Sequence, residues 1–144
     1  MNEEEPGCSC LIDTSGLHEL ATASGNLKSI VLNRLQTGVI AVPTHVWQEF
    51  EDLYEDEAME LSPYVSKKII MKKATYIGAA RIADQLNSGF SRGPYDNHSV
   101  LYTASIASNN NYRVLTASTA LNDYDGMDCD VSDLETWAEE LSGE

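Results

Sequence analysis

Three short apolar runs constrain most strongly what this chain can fold into. They are Cys10-Leu11-Ile12, Val39-Ile40-Ala41-Val42 and Tyr112-Arg113-Val114-Leu115-Thr116. The first two show no alternation of apolar and polar residues, which is typical of strands that are buried on both faces of a parallel sheet. The first run ends abruptly at Asp13, and the second ends at Pro43. We therefore expect buried strands with polar residues or proline at their carboxyl ends.

The segments between these runs carry apolar residues at helical spacing. The pattern predicts helices after Asp13, at Leu27–Leu35, Val46–Glu60, Val65–Leu86 and Asp96–Asn109, and around Leu134 and Trp137. Thr14 or Ser15 is expected to cap the first helix, and a weaker strand is expected around Met127–Val131. Strands separated by helices predict an α/β sandwich with a mainly parallel sheet.

Length, cysteine usage and hydropathy limit the class of protein. A chain of 144 residues with 42% hydrophobic side chains predicts one domain, over residues 8–144, behind a disordered acidic tail at residues 1–7. The three cysteines lack the paired spacing of a zinc site, which favours reduced thiols in a cytosolic protein. The N-terminus is acidic and no apolar run approaches the roughly 18 residues of a membrane span, so we expect a cytoplasmic protein without a membrane anchor.

The charge of the chain is strongly acidic and unevenly distributed. Its 23 acidic and 9 basic residues give a net charge of −14, which opposes nonspecific binding to nucleic acid and suits divalent cations or a basic partner. Residues 61–95 are the exception, because they contain one acid and six bases. The acidic composition therefore hides one basic segment.

Three carboxylates fall at positions that point toward a common edge of the predicted sheet. Asp13 ends the first strand, and Glu49 and Asp96 lie beside the apolar faces of their helices. An uncompensated carboxylate on an inward face costs several kcal/mol, so three of them suggest a bound cation. Oxygen ligands favour Mg²⁺ or Mn²⁺. The alternatives are that Asp13 and Asp96 only cap helices and that Glu49 belongs to a solvated acidic face.

These residues, taken in order, resemble the PIN-domain family and especially its VapC-type toxin ribonucleases. The resemblance rests on three segments: Cys10-Leu11-Ile12-Asp13-Thr14-Ser15-Gly16-Leu17, Val42-Pro43-Thr44-His45-Val46-Trp47-Gln48-Glu49-Phe50, and Tyr95-Asp96-Asn97-His98-Ser99-Val100 with the later run Tyr112–Ser118. Together they extend over about 110 residues. Each segment is short, and it is their order and spacing that carry the resemblance.

The resemblance implies a three-layer α/β/α sandwich that cleaves RNA with Mg²⁺ or Mn²⁺. By this comparison Asp13, Glu49 and Asp96 would be catalytic and would bind the metal, and Thr116 and Ser118 would lie at the substrate. Toxins of this kind form homodimers and are held inactive by an antitoxin protein. Lys68 and Lys72, on the basic segment, would contact RNA phosphates, unless they belong to an ordinary solvated helix face.

The sequence departs from the family pattern at Ser118, where an aspartate is more common. Serine carries no charge, so a second metal ion is in doubt, and Ser118 could at most contribute a hydroxyl to the metal site. Asp123 and Asp125, a few residues further on, are the candidates to compensate for it. Two further interpretations stay open: a catalytically degraded PIN-like binding or regulatory module, and an acidic receiver-like domain that lacks the expected neighbouring acids. His45 and Glu49 also have the spacing of a two-ligand metal site.

Overall fold

The computed structural model describes residues 9–87, 98–124, 127 and 129–142. The strands are β1 (Cys10–Ile12), β2 (Ile40–Pro43), β3 (Lys68–Ile69), β4 (Arg113–Thr116) and β5 (Asp130–Asp133). The helices are α1 (Thr14–Thr22), α2 (Gly25–Thr37), α3 (Thr44–Leu53), α4 (Glu55–Leu61), α5 (Lys73–Asn87), α6 (His98–Asn110) and α7 (Leu134–Ser142). Two short 3-10 helices span Ser62–Tyr64 and Ser118–Tyr124. The predicted tail at residues 1–7 lies outside the described residues.

The five strands form one parallel sheet in the order β3-β2-β1-β4-β5. β1 therefore lies at the centre, where Cys10 pairs with Ile40 of β2 on one side and with Arg113 of β4 on the other. The carboxyl ends of all five strands point to the same edge. The prediction of a mainly parallel sheet is confirmed.

Helices cover both faces of the sheet. Ile12 of β1 packs with α1, α2, α3, α4 and α7, whereas its neighbour Leu11 packs with α5 and α6. Because successive residues of a strand point to opposite faces, this division places one core on each side of β1. The molecule is thus a three-layer α/β/α sandwich. No helix in the described part has the length and apolar composition needed to cross a membrane.

The predicted helix over Val65–Leu86 is wrong in its first part. The edge strand β3 occupies Lys68–Ile69, and α5 begins only at Lys73. The carbonyl of Lys67 accepts a hydrogen bond from the N–H of Val42 (3.0 Å), so this segment supplies β2 with its outer partner. A strand of two residues is too short to show alternation in a sequence.

Two other boundaries differ from the prediction. The helix expected over Val46–Glu60 breaks at Tyr54, whose backbone is not helical (φ −138°, ψ 65°), and continues as α4. The last strand covers Asp130–Asp133, later than the expected Met127–Val131, because its register with β4 pairs Arg113 with Asp130. A charge pair supports that register, since Arg113 Nε lies 3.0 Å from the Asp130 carboxylate.

Candidate functional site

The carboxyl ends of β1 and β4 lie side by side and bring two predicted site residues together. The N–H of Asp13 donates a hydrogen bond to the carbonyl of Leu115 (3.1 Å). Thr116 ends β4, and its Oγ1 lies 2.8 Å from Oγ of Ser15. Ligands of open α/β sheets bind in the crevice at this edge. We therefore take this edge as the candidate site.

Asp13 is buried, with 6% of its surface exposed, and it caps helix α1. Its Oδ1 accepts a hydrogen bond from the N–H of Gly16 (2.8 Å) and lies 3.1 Å from Oγ of Ser15. Its Oδ2 accepts one from the hydroxyl of Tyr124 (2.6 Å). The assignment of this cap to Thr14 or Ser15 is wrong, because an aspartate oxygen at this position reaches the third N–H of the helix.

Burial raises the pKa of Asp13 above its ordinary value of 3.8, since desolvation disfavours the charged form. Hydrogen bonds from Tyr124, Thr116, Gly16 and Ser15 act in the opposite direction and lower it. Burial and the nearby charge of Asp13 also raise the pKa of Tyr124 well above 10.0. The Tyr124 hydroxyl therefore keeps its proton and acts as the donor to Asp13.

Gly16 allows helix α1 to lie directly against the sheet. A Cβ atom at this position would lie 2.7 Å from the carbonyl oxygen of Leu115 and 2.9 Å from Cγ1 of Ile12. It would also lie 3.2 Å from Oδ1 of Asp13. The absence of a side chain at residue 16 is thus a condition for the contact between Asp13 and β4.

Glu49 reaches the same edge from helix α3. Its Oε1 accepts a hydrogen bond of 2.5 Å from Oγ1 of Thr14, the residue that follows Asp13. The carboxylate is half-buried. Two of the three predicted carboxylates, Asp13 and Glu49, are therefore carried by neighbouring elements at one edge of the sheet. The third, Asp96, lies outside the described residues.

Ser118 directly follows this edge, but its side chain is exposed. Its backbone N–H donates a hydrogen bond of 3.2 Å to Oε1 of Glu19, a residue of α1 that the sequence analysis did not single out. Asp123, considered as a replacement for the missing aspartate, is exposed, and Asp125 lies outside the described residues. Among the described residues, the carboxylate of Glu19 is the one that the structure places in contact with Ser118.

Tyr124 is the site residue that sequence reasoning missed. It lies 111 positions from Asp13 in the chain, and no spacing rule connects the two. The one available signal was an aromatic side chain among the polar residues Asn122, Asp123 and Asp125. A large apolar ring in a polar stretch indicates a residue that turns inward.

The acceptor positions of Asp13 are partly filled by hydrogen bonds within the protein. The hydroxyl of Ser15 donates to Oδ1 of Asp13 (3.1 Å), so in its 2.8 Å contact with Thr116 the Thr116 hydroxyl is the donor, and the pair delivers one hydrogen bond to Asp13. With Gly16 and Tyr124, three of the roughly four acceptor positions of this carboxylate are then filled, and the fourth is on Oδ2. No group of three or more His, Cys, Asp or Glu side chains that could hold a metal ion occurs among the described residues.

Asp13 and Glu49 alone would therefore supply an incomplete ligand set. A third carboxylate must come from outside the described residues, and Asp96 is the residue that the sequence analysis assigns to this place. The exposed Ser118 itself brings no negative charge to a second ion.

The other polar candidates lie in different surroundings. Nε2 of His45 lies 3.1 Å from Oγ1 of Thr103 on α6, whereas Glu49 is bonded to Thr14 on α1, so the two do not converge as a metal-binding pair. Lys68 lies in the edge strand β3 and Lys72 lies between β3 and α5, so the two are not on one long helix. Their predicted contact with RNA is not tested by this arrangement.

Replacing Tyr124 with phenylalanine tests the role of its hydroxyl. We expect the free energy of unfolding near neutral pH to fall by about 1.5–3 kcal/mol, because ionised Asp13 loses a charge-assisted hydrogen bond. The variant also raises the pKa of Asp13 further, so the loss should shrink as the pH falls through that pKa. Denaturant unfolding at two pH values measures both effects.

Tyr64→Phe is the matched control. Tyr64 is partly buried against the core that contains Ile12, on the opposite face of the sheet from the core of Tyr124. No hydrogen bond to its hydroxyl occurs among the described residues. Its variant should change stability by less than about 0.5 kcal/mol at either pH. Equal losses in the two variants would show that the Tyr124 hydroxyl does not stabilise Asp13.

Solved structures share this architecture, although no protein-family model and no curated protein matches the sequence. PAE2754 from Pyrobaculum aerophilum superposes with a TM-score of 0.64 at 15% identity, over 96% of this chain and 99% of that one. DNA-bound VapBC from Salmonella typhimurium gives 0.68 at 14% identity, over 88% and 98%. A toxin–antitoxin complex from Klebsiella pneumoniae gives 0.57 at 18% identity, over 88% and 98%. The chain has a PIN-like fold.

This similarity concerns the fold, because the identities are low. It confirms the α/β/α architecture that the resemblance implied. The activity, the cation and the partners of this chain depend on the residues of the site.

Proposed function

We propose that this protein is a metal-dependent ribonuclease that hydrolyses phosphodiester bonds of RNA, and that it is the toxin of a toxin–antitoxin pair. The observation that carries the proposal is the burial of Asp13 and the set of hydrogen bonds that it accepts. Asp13 is a buried carboxylate at the end of the central strand, held by three donors, with one acceptor position left on Oδ2 and Glu49 close by. Such a group is suited to binding a cation.

Asp13, Glu49 and Asp96 form the catalytic centre in this proposal and hold one Mg²⁺ or Mn²⁺ ion. Bound there, the ion supplies Lewis acidity and lowers the pKa of a water molecule. Asp13 contributes an oxygen whose direction is fixed by Tyr124 and Gly16. This fixed direction means that the carboxylate needs little reorganisation when the ion binds.

The remaining residues of the edge bind and orient. Thr14 holds Oε1 of Glu49 through its 2.5 Å hydrogen bond and leaves Oε2 to the ion. Thr116 and Ser118 follow β4 at the substrate side, where their hydroxyl groups can donate hydrogen bonds to phosphate oxygens. RNA contacts by Lys68 and Lys72 remain part of the prediction, although Lys68 lies in β3 and Lys72 shortly after it, rather than next to β1 and β4.

The partners that we propose are an antitoxin protein, an RNA substrate and a second copy of the chain. Similar folds occur in the DNA-bound VapBC complex and in the Klebsiella pneumoniae toxin–antitoxin complex, which supports an antitoxin protein as a partner here. RNA is the proposed substrate, and a homodimer is the proposed assembly. The proposed compartment is the cytoplasm.

A second candidate is a PIN-like binding or regulatory module that has lost catalysis. Two observations favour it: Tyr124 occupies one position on Oδ2 of Asp13, and Ser118 stands where the family more often has aspartate. Such a module would bind a cation or a partner without turnover. The two candidates differ in cleavage and not in fold.

Cleavage of a labelled mixed RNA pool by wild type and Asp96→Asn distinguishes them. We expect wild type to cleave with Mg²⁺ or Mn²⁺ and not with a chelator. Asp96→Asn should lose at least about 100-fold in rate, because a missing ligand removes several kcal/mol of stabilisation of the transition state. Asp84→Asn, which removes an exposed acid of α5, should keep the wild-type rate. Cation binding by well-folded wild type without cleavage of any RNA in the pool would favour the binding module.

A further inference from the structure

A cavity of about 800 Å³ lies beside the edge strand β3, away from Asp13. It is bounded by β3, the first turns of α5 and the last turn of α6, and Tyr112 lines it just before β4 begins. The cavity reaches the amino end of β4 at Tyr112, whereas its β3 residue Ile69 pairs with Pro43 at the carboxyl end of β2. Asp13 and Thr116 lie at the carboxyl ends of β1 and β4. No carboxylate is among the described residues that line the cavity.

Three cations at this cavity, Lys67, Lys72 and Arg81, have no side-chain partner among the residues that the structure describes. No ion pair and no side-chain hydrogen bond involves them within residues 9–87, 98–124 and 129–142. Lys68, the fourth cation, differs because its Nζ lies over the ring of Trp47, 5.2 Å from the centre. In a chain of net charge −14, a cavity with unpaired cations and no acid attracts anionic groups.

Exposed aliphatic side chains adjoin these cations. Ile70 is 61% exposed and Ile77 is 50% exposed, and both line the same cavity. Exposed apolar residues within a polar rim are typical of protein-binding surfaces. Phosphate groups gain nothing from isoleucine, whereas a peptide that carries both carboxylates and aliphatic side chains can use both features.

The strand at this cavity has an open edge. β3 pairs with β2 alone and is the outermost strand of the sheet. An edge strand offers unpaired backbone groups to an extended peptide, which can add to the sheet as a further strand. Because side chains of a strand alternate between two faces, an added strand would present one set of side chains toward the cavity.

We propose that this surface, made of the edge of β3 with Lys67, Lys72, Arg81, Ile70 and Ile77, binds an extended acidic segment of a partner protein by strand addition. The segment alternates carboxylate and aliphatic side chains. Its carboxylates pair with the three cations, and its backbone pairs with β3. This binding uses none of the residues at the Asp13 edge, although it shares Lys72 with the RNA contacts proposed above.

Binding of a labelled peptide of about ten residues, alternating Glu and Val, tests the proposal by fluorescence anisotropy. We expect the full chain to bind it. The double variant Lys67→Glu with Lys72→Glu should weaken binding by about tenfold or more, because two attractive contacts become repulsive. Lys73→Glu is the matched control, since Lys73 is exposed on α5 but does not line the cavity. It should change affinity by less than about threefold.

A second peptide, alternating Glu and Pro, isolates the contribution of the backbone. Proline has no N–H to donate, so this peptide keeps the charge but cannot complete a strand ladder. Equal affinity for the two peptides would overturn strand addition. Failure of wild type to bind the Glu-Val peptide, or equal losses in Lys73→Glu and the double variant, would overturn the whole proposal.

The test also distinguishes two other occupants of the cavity, an RNA and a second copy of the chain. Binding of an RNA oligonucleotide that depends on Lys67 and Lys72, with no such dependence for the peptide, would assign the cavity to phosphate. Self-association that the double variant abolishes would assign it to a second copy of the chain. Either result would overturn the proposal, and neither depends on whether the protein cleaves RNA.

Discussion

Asp13→Asn is expected to abolish RNA cleavage, with a loss of at least about 100-fold, while the protein stays folded. The variant removes the charge that would bind the cation, but it keeps the shape of the side chain. Asparagine is as good a helix cap as aspartate, so its oxygen can still accept the hydrogen bond from Gly16. Cleavage assays and thermal unfolding, run side by side, measure the two properties.

The pH dependence of the free energy of unfolding should also show the effect of burying Asp13. Its folded-state pKa is raised, so the protonated carboxyl stabilises the fold at low pH, and this contribution is lost as the pH rises through the folded pKa. The Asp13→Asn variant has no titratable group at this position and therefore lacks this pH-dependent contribution to stability. The stability of the variant relative to wild type should therefore increase from acidic toward neutral pH.

Asp52→Asn is the control for Asp13→Asn. Asp52 is an exposed acid of α3, three residues after Glu49, and the same loss of charge there should leave both cleavage and its cation dependence unchanged. A wild-type rate in Asp13→Asn would remove Asp13 from the catalytic centre. A similar loss in both variants would mean that overall negative charge, rather than a specific ligand, controls activity.

Gly16→Ala is expected to have the largest effect on stability. The added Cβ would lie 2.7 Å from the backbone oxygen of Leu115, which cannot rotate away as a side chain could. Helix α1 must then move off the sheet, at a cost of about 1–3 kcal/mol or more, as in other overpacked cores. In an exposed helix the same substitution would stabilise by about 0.5–1 kcal/mol, so the predicted sign is reversed.

Denaturant unfolding measures this effect, and Ser29→Ala in α2 provides the comparison. Ser29 is exposed, so alanine there should be neutral or slightly stabilising. The displacement of α1 in Gly16→Ala should also disturb the contact between Ser15 and Thr116. An unchanged free energy of unfolding in Gly16→Ala would show that α1 can shift without cost.

The sequence was sufficient to predict the central strands. Cys10–Ile12, Ile40–Pro43 and Arg113–Thr116 are each close to an apolar run, because strands buried on both faces need apolar residues at every position. The outer strand β3 was assigned to a helix. It has one open edge and two residues, so its identity depends on pairing with Val42 rather than on its own composition.

The candidate site was predictable to the extent that it follows from strand ends. Asp13 and Thr116 meet because parallel neighbours end at one edge, and Glu49 reaches them because α3 follows β2 directly. Tyr124 was not predictable, since it reaches Asp13 through the 3-10 helix that follows β4. A contact of this kind depends on the path of a loop, which no periodicity in the sequence records.

The central position of β1 has a consequence for synthesis of the chain. β1 is synthesised about 100 residues before its neighbour β4. Asp13 gains its contact with the Ser15–Thr116 pair only after Thr116 is added, and its bond from Tyr124 only after residue 124. Long-range pairing of this kind also folds slowly. A nascent chain therefore carries no assembled site at Asp13 until Tyr124, 111 residues further along the chain, has been translated.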